Sequence, residues 1–364
     1  MSEIKLWHQD CIKGMTERLK PNSVDCVITS IPFDNLFNYT ALPEDLGNNL
    51  GNANIMTGQF GLNFRFFLAA LFEVMKPGSV FCCHIQQLLA MGCKDGYMGM
   101  RDFRGSVISM AMNHGFDPHG EVAILKDPRA VARRLQLHSL MFVTAYNDTR
   151  KVVPAMNDYV LFLRKPGSSD PIHGLIESHR SVMLVEPSPI IEYHQDGKIK
   201  RVREDFRNVP YEILTWDEDT GITSKATVTG GENINPDGWF TKNDWIKYAH
   251  GCWTDIDEMD VLERYKDAKE NAEEKHLCPL QLEVIRRCMK LYSSPGQLVM
   301  DPFMGVGSTA VVANEQDRDC VGFELKESYH RMSVQNVQNA QRPDSQITIN
   351  AAIKKLKAVE RAMT

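Results

Sequence analysis

The chain has 364 residues, 43% of them hydrophobic and 24% charged, with a formal net charge of −6. That composition is ordinary for a soluble globular protein, and the length suits one large α/β domain with an insertion, or two domains. No apolar run reaches membrane length and no signal-peptide or Arg-rich leader pattern is present, so a cytoplasmic protein without a membrane partner is expected; nine cysteines without a paired C-x-x-C point to neither a disulfide framework nor a metal site.

Residues 4–8 read as a short strand and 11–19 as a helix, for which Asp10 is an N-cap candidate. Residues 24–28 are β-branched and apolar, as a buried strand requires. Thr29-Ser30-Ile31-Pro32-Phe33 follows where this strand leaves the sheet, the edge at which open α/β sheets bind ligands. Pro32 fixes its own φ and holds Ile31 extended. The segment offers the Ser30 hydroxyl, the Ile31 carbonyl and the Phe33 ring, and two acceptors beside an aromatic face suit a planar group with an exocyclic amine, such as a nucleobase. Taken alone, the stretch also reads as a plain strand exit with a proline stop. Residues 35–61, rich in Asn and Gly, read as a mobile flap over this site, with Phe37 and Tyr39 as contacts.

Residues 64–75 read as a helix ended by Lys76-Pro77-Gly78, and 79–85 as the next strand, in which Cys82 and Cys83 pack as small hydrophobes. A helix over 107–113 and strands over 121–126 and 158–164 follow. Lys126, Arg129, Arg133 and Arg134 form a basic cluster between those strands, the three arginines at near-helical spacing, a row that can track phosphates. From residue 167 to 250 the composition shifts to Pro, Gly, short basic strand candidates carrying Lys200 and Arg201, and aromatics. Much of the acid lies in 255–274, a stretch reading as a solvated helix, so a basic surface is compatible with the acidic total. A helix runs from about Gln281 to Tyr292.

Residues 297–300 read as a strand, followed by Asp301-Pro302-Phe303-Met304-Gly305-Val306-Gly307-Ser308-Thr309-Ala310, a helix to about Glu315, and a second strand ending at Glu324. In this β-α-β unit the glycines let the backbone approach a ligand, a side chain at Gly307 is expected to occupy the ligand's space, and Glu324 can accept both hydroxyls of a ribose. Gly305, Gly307 and Ala310 also fit the G-x-G-x-x-A dinucleotide pattern, which leaves a nicotinamide-dependent dehydrogenase as an alternative, while the lack of a Lys after the second Gly excludes a Walker loop. Residues 343–364 suggest a C-terminal helix with one apolar stripe, packing on the core or on a second copy of the chain as a homodimer.

Together, Ser30-Ile31-Pro32-Phe33 and Asp301 to Thr309 resemble the two motifs of the amino-methylating (N4-cytosine/N6-adenine) DNA methyltransferases, in the β-type order with the catalytic motif first. The catalytic motif departs from that family at Ile31, where the family has Pro; the backbone carbonyl used there is still supplied. The resemblance implies an α/β fold, a Rossmann-like S-adenosylmethionine-dependent methyltransferase sheet, mixed and mostly parallel, with an inserted target-recognition region. It divides the chain into 1–166 (catalytic half), 167–250 (target recognition), 251–342 (cofactor half) and 343–364 (C-terminal helix). The cofactor implied is S-adenosylmethionine, held by Asp10, Lys275, His276, Gln281, Asp301, Pro302, Phe303, Gly305, Gly307, Ser308, Thr309 and Glu324. The reaction implied is methyl transfer to the exocyclic amine of a flipped base in double-stranded DNA, with Ser30, Ile31, Pro32 and Phe33 as the catalytic set. Arg129, Arg133, Arg134, Lys200 and Arg201 are the expected DNA contacts, no metal is expected to take part, and the 35–61 flap is expected to order on DNA. Ser30 favours cytosine N4, with adenine N6 the alternative. A decayed DNA-binding protein remains a reading of Ile31, and a restriction endonuclease partner is open.

Overall fold

The computed structural model describes residues 2–34, 42–46, 55–90, 96–97, 99–135, 140–168, 180–185, 191–193, 199–201, 211–217, 221–228, 242–263 and 279–340. The chain divides into two units, Met1–Ser169 with Gly251–Thr364, and Asp170–His250. Its strands are β1 (Ile4–His8), β2 (Val24–Ser30), β3 (Met75–Gln86), β4 (Leu88–Ala90), β5 (Gly99–Arg101), β6 (Asp117–Ile124), β7 (Asp158–Arg164), β8 (Arg180–Val185), β9 (Ile191–Tyr193), β10 (Ile199–Arg201), β11 (Tyr211–Asp217), β12 (Gly221–Val228), β13 (Cys252–Trp253), β14 (Leu298–Asp301) and β15 (Asp319–Glu324). Its helices are α1 (Cys11–Arg18), α2 (Gln59–Val74), α3 (Phe103–Asn113), α4 (Pro128–Leu135), α5 (Phe142–Asn147), α6 (Lys242–Tyr248), α7 (Leu282–Tyr292), α8 (Ser308–Glu315) and α9 (Glu327–Ala340).

The larger unit is built on an eight-stranded sheet in the order β1-β15-β14-β2-β3-β7-β6-β13. The five strands from β1 to β3 are mutually parallel, β7 runs antiparallel to both β3 and β6, and β13 is parallel to β6. Side chains alternate across a strand, so each central strand feeds two cores. Val27, Phe81, Cys83, Leu161 and Leu163 face one core with α2 and α3, while Cys26, Ile28, Val80, Cys82, Val160 and Phe162 face the other with α7 and α8. Along α2, Phe60, Phe64 and Phe67 stack in series at 5.2 and 5.5 Å between centroids, and Phe67 reaches Phe303 at 5.1 Å. That aromatic row joins the first half of the chain to the loop after β14.

Four elements start earlier than the sequence pattern suggests, α3 at Phe103 and β6 at Asp117 besides the two that follow, and residues 255–263 of the expected solvated helix are irregular. Helix α2 begins at Gln59 rather than 64, because Gly58 caps it and Gly61 packs where a Cβ would lie 2.3 Å from the Met56 carbonyl. Strand β3 begins at Met75 with no intervening turn: Met75 pairs with Val24, and Lys76-Pro77-Gly78 is absorbed as an irregularity, with Gly78 at φ 82° and the Lys76 ammonium on Asp25 at 2.5 Å.

The second unit holds an antiparallel three-stranded sheet, β12-β11-β8, a separate β9–β10 pair and α6. No helix among the described residues is long and apolar enough to cross a membrane. The expected helix over 343–364, and Phe37 and Tyr39 of the expected flap, lie outside the described residues.

Candidate active site

Strands β2 and β14 are neighbours in the sheet and parallel, with Cys26 opposite Val299 and Val27 opposite Met300. Their carboxyl ends therefore emerge side by side, which brings residues 29–33 to residues 301–309. Asp301 is the joint. Its Oδ1 accepts from Thr29 Oγ1 at 2.5 Å and from the Phe303 amide at 3.0 Å, and its Oδ2 accepts from Thr309 Oγ1 at 2.6 Å. Burial pushes its pKa up to about 6, although all three hydrogen bonds pull it down.

The loop after β14 turns on two glycines in left-handed conformations, Gly305 at φ 54° and Gly307 at φ 94°, the latter capping α8. The Gly305 amide donates to Glu324 Oε2, and the Lys326 amide to Oε1, both at 2.8 Å. Burial raises Glu324 to about 7; the two amides oppose this, while the charges of Asp301 and Asp45 add to it. Each carboxylate oxygen keeps a second lone pair for a ligand. Gly307 is constrained from behind. A Cβ there would lie 3.0 Å from Ser333 Cα on α9, so the expectation that a side chain would fill the ligand's space is corrected: it would meet the helix. Gly307→Val is expected to lose about 1–3 kcal/mol through the left-handed backbone alone. Thermal melting without ligand checks this, and an unchanged midpoint would refute it.

The cavity at this sheet edge is lined by Asp10, Ser30, Pro32, Asp301, Pro302, Phe303, Gly305, Ser308, Thr309 and Glu324 of the expected residues. Asp10 also caps α1, its Oδ1 accepting from the Lys13 amide at 2.9 Å. Glu44, Asp45 and Leu46 also line the wall, contributed by the segment read as a flap; Asp45 and Leu46 are buried. Five carboxylates thus line the cavity, with no lysine or arginine among the described lining residues. Such a lining suits a cationic ligand and repels phosphate esters. Ile31, Phe33, Gly307 and Gln281 are not part of the wall; Gln281 is the buried residue preceding α7, beside Pro279 and Leu280, which are. Lys275 and His276 lie outside the described residues. Among those residues no group of three or more His, Cys, Asp or Glu is placed to hold a metal.

Behind Ser30 runs a chain of polar side chains that the sequence reading missed. Ser30 Oγ lies 2.9 Å from His84 Nδ1, His84 Nε2 lies 3.3 Å from Asp158 Oδ2, and Lys126 Nζ lies 2.7 Å from the same oxygen. Burial works against ionisation of Asp158, but His84 and Lys126 outweigh it and hold the carboxyl below its ordinary range. Lys126, counted in the sequence with a basic surface cluster, is buried. Phe33 tilts against His84 at 5.8 Å and meets Phe103 edge-on at 6.4 Å, with its ring partly buried. Ile31 packs its side chain into the core, and its amide donates to the His84 carbonyl at 3.4 Å. Asp34, at φ 50°, is buried and paired with Arg101 of β5, which fixes the backbone as it leaves the motif.

The expected DNA contacts are dispersed. Arg129 is exposed at the start of α4 and bound to Asp127 at 2.8 Å; Arg133 and Arg134 lie on the same helix. Lys200 and Arg201 lie on β10, opposite Glu192 and Ile191, in the second unit.

The model of the DNA methylase family matches residues 24–335. The type II methyltransferase M.SmaI of Serratia marcescens is 40% identical over 62 residues, 17% of this chain and 21% of that protein. The type II methyltransferase M.BglI of Bacillus subtilis is 29% identical over 109 residues, 30% of this chain and 28% of that protein. The chain thus spans a fifth to under a third of the length of these relatives. Solved structures are matched over far more of the chain. TTHA0409 of Thermus thermophilus, complexed with S-adenosyl-L-methionine, superposes with a TM-score of 0.53 at 15% identity, covering 95% of this chain and 98% of that one. The cytosine-N4-specific PvuII DNA methyltransferase gives 0.52 at 14% identity, covering 96% and 91%. At these identities the likeness is one of fold: a mixed, mostly parallel methyltransferase sheet.

Proposed function

The chain belongs to the DNA methylase family, and we propose that it transfers a methyl group from S-adenosylmethionine to the exocyclic amine of a base in double-stranded DNA, at cytosine N4. The observation that carries this reading is the Ser30–His84–Asp158 path. Asp158 as a carboxylate only accepts, and in this reading His84 takes the tautomer in which Nε2 donates to it; Nδ1 of that tautomer accepts the hydroxyl hydrogen of Ser30. Ser30 therefore turns lone pairs toward the cavity. It accepts from an amine and repels a ring carbonyl, which separates cytosine from thymine at the same position.

The exocyclic nitrogen is a weak nucleophile because its lone pair is delocalised into the ring. Hydrogen bonds from its two N–H groups to Ser30 Oγ and the Ile31 carbonyl orient it and favour the pyramidal form. As the nitrogen gains carbon, one of its protons passes to Ser30 Oγ while the Ser30 proton passes to His84 Nδ1; the imidazolium formed is stabilised by Asp158. Phe33 stacks on the base once it is out of the duplex. A serine needs such a base behind it, whereas a carboxylate in its place would not; this favours the N4 reading, and an intact path disfavours a decayed site.

The cavity fits the cofactor. S-adenosylmethionine supplies a methyl group on a sulfonium cation, and a wall whose charged residues are all acidic attracts that charge, whereas a nicotinamide dinucleotide would bring two phosphates to it. Glu324 accepts the ribose hydroxyls when ionised. With its carboxyl near 7, affinity for S-adenosylmethionine is expected to be full above about pH 8 and to fall about tenfold by pH 6, as the carboxylate is protonated. Calorimetry on wild type and Glu324→Gln checks this: an equally steep dependence in the variant would assign the titration to another group. Residues 167–250 are the target-recognition region of this reading, with Lys200 and Arg201, and Arg129, Arg133 and Arg134 of α4, on phosphates.

Incubating unmethylated DNA with enzyme and cofactor, then identifying nucleosides by mass spectrometry, tests the reaction. N4-methylcytosine is expected. N6-methyladenine would move the reading to adenine, and no methylated base would overturn it.

A further inference from the structure

The connection between β6 and β7 is rooted in the active site. Ile124 at the end of β6 is opposite Asp158 at the start of β7, Asp158 is opposite Gln86 of β3, and its carboxylate holds His84. Both ends of the connection therefore leave the sheet at the edge where Ser30 lies. Within it, α5 carries Phe142 and Tyr146, four residues apart and so on one helix face, at 83% and 81% exposure. Val143 beside them is 57% exposed, and α5 buries none of its residues. A six-residue helix stabilised by no burial is an unusual place for two bare rings, and an exposed aromatic cluster marks a contact surface. Charge names the partner. Residues 125–157 hold six Lys and Arg against two Asp, in a chain whose net charge is −6. Lys126 is engaged by Asp158, but Arg150 is exposed immediately after α5, its guanidinium on Asp148 at 3.0 Å.

We propose that α5 is a DNA-docking element, its Phe142 and Tyr146 rings pressing on the base stack beside the target nucleotide while the basic residues of the same connection other than Lys126 face the flanking phosphates. Rings accept any base, because every base has a π-face, and apolar wedges of this kind hold open a step from which a base has been withdrawn. Arginine and lysine on the same segment supply attraction to the backbone. A second copy of the chain, acidic overall, would also attract this charge, but it offers no stack of planar bases for two rings. The inference rests on the reading that duplex DNA is the substrate.

The test is a Phe142→Ala, Tyr146→Ala double variant of the full chain, measured for binding to a mixed-sequence duplex at several salt concentrations, for S-adenosylmethionine affinity, and for mass by sedimentation. DNA affinity should fall roughly ten- to a hundredfold, the loss typical of one lost base–ring stack. The slope against salt should stay as in wild type, since no phosphate contact is removed. Cofactor affinity and mass should not change, and Phe142→Trp should retain binding. Unchanged DNA affinity in the double variant would overturn this inference alone. A wild type that sediments as a dimer, with a monomeric variant, would overturn it by assigning the rings to a contact between copies. A wild type that binds no duplex would overturn both it and the DNA reading.

Discussion

Ser30→Ala and His84→Ala are each expected to slow methyl transfer a hundredfold or more, and the double variant to be no slower than the worse single one. Ser30 and His84 act as one path, Ser30 Oγ to Nδ1 at 2.9 Å, so removing either end disables the other. A positioned general base contributes about 10²- to 10⁴-fold, and residues that work as a unit show losses far from additive. Neither residue need touch the cofactor for this to hold, so S-adenosylmethionine affinity should stay near wild type in both variants. His84 is buried, and truncation leaves a cavity; His84→Gln, which fills more of that space, separates lost chemistry from lost packing. Single-turnover transfer with saturating cofactor gives the rates. Multiplying losses in the double variant, or a fully active His84→Gln, would remove His84 from the reaction.

Asp301→Leu is expected to leave no stably folded protein. The carboxylate gathers three donors, the Thr29 and Thr309 hydroxyls and the Phe303 amide, at a nearly solvent-free junction between β2 and the loop after β14. Leucine would strand all three, at about 1–3 kcal/mol each, and their sum is comparable with the whole stability of a typical domain, about 5–15 kcal/mol. Removing the buried charge returns part of the loss, since Asp301 resists ionisation, to about 6. Adding Thr29→Val and Thr309→Val removes two of the stranded donors, so the triple variant should recover soluble yield and a cooperative melt yet still fail to bind S-adenosylmethionine. A stable single Asp301→Leu variant would show that the junction is held elsewhere.

The two motifs were legible in the sequence because each is contiguous, and its local chemistry is complete within about ten residues. The glycines after β14 and the acid at the end of β15 declare themselves by spacing, and most strands of the central sheet by their apolar runs; two-residue β13 and the exposed first half of β6 carry no such run and were not legible. The Ser30–His84–Asp158–Lys126 path was not legible, because its members are separated by 54 and 74 residues and meet only through the pairing of β2 with β3 and of β3 with β7. One signal was present: His84 is a titratable residue inside an otherwise apolar strand, and a buried imidazole needs partners. Lys126 looked like a surface cation because sequence spacing cannot tell an inward lysine from an outward one. Ile31 looked like a departure from the catalytic motif, yet it has a local reason. Its amide extends the β2–β3 ladder to the His84 carbonyl, which a proline could not do, and its side chain fills core space that the smaller proline ring would fill less completely. Glu44, Asp45 and Leu46 carried no periodic pattern, and their place in the cavity wall depends on tertiary packing alone.

The adjacency of β2 and β14 also sets a timetable for the newborn chain. The catalytic strand is complete at Ser30, but its partner on one side begins only at Leu298. At about 5–20 residues per second, a ribosome takes roughly 13–54 s to make the intervening stretch. Once β3 is complete at Gln86, and until β14 is made, the strand Val24 to Ser30 has β3 on one side and no sheet on the other. An unpaired edge of that kind invites pairing with foreign strands. The aggregation hazard of this protein therefore lies in its synthesis, and slowing translation after residue 30 should lower soluble yield without altering the stability of the molecules that do fold.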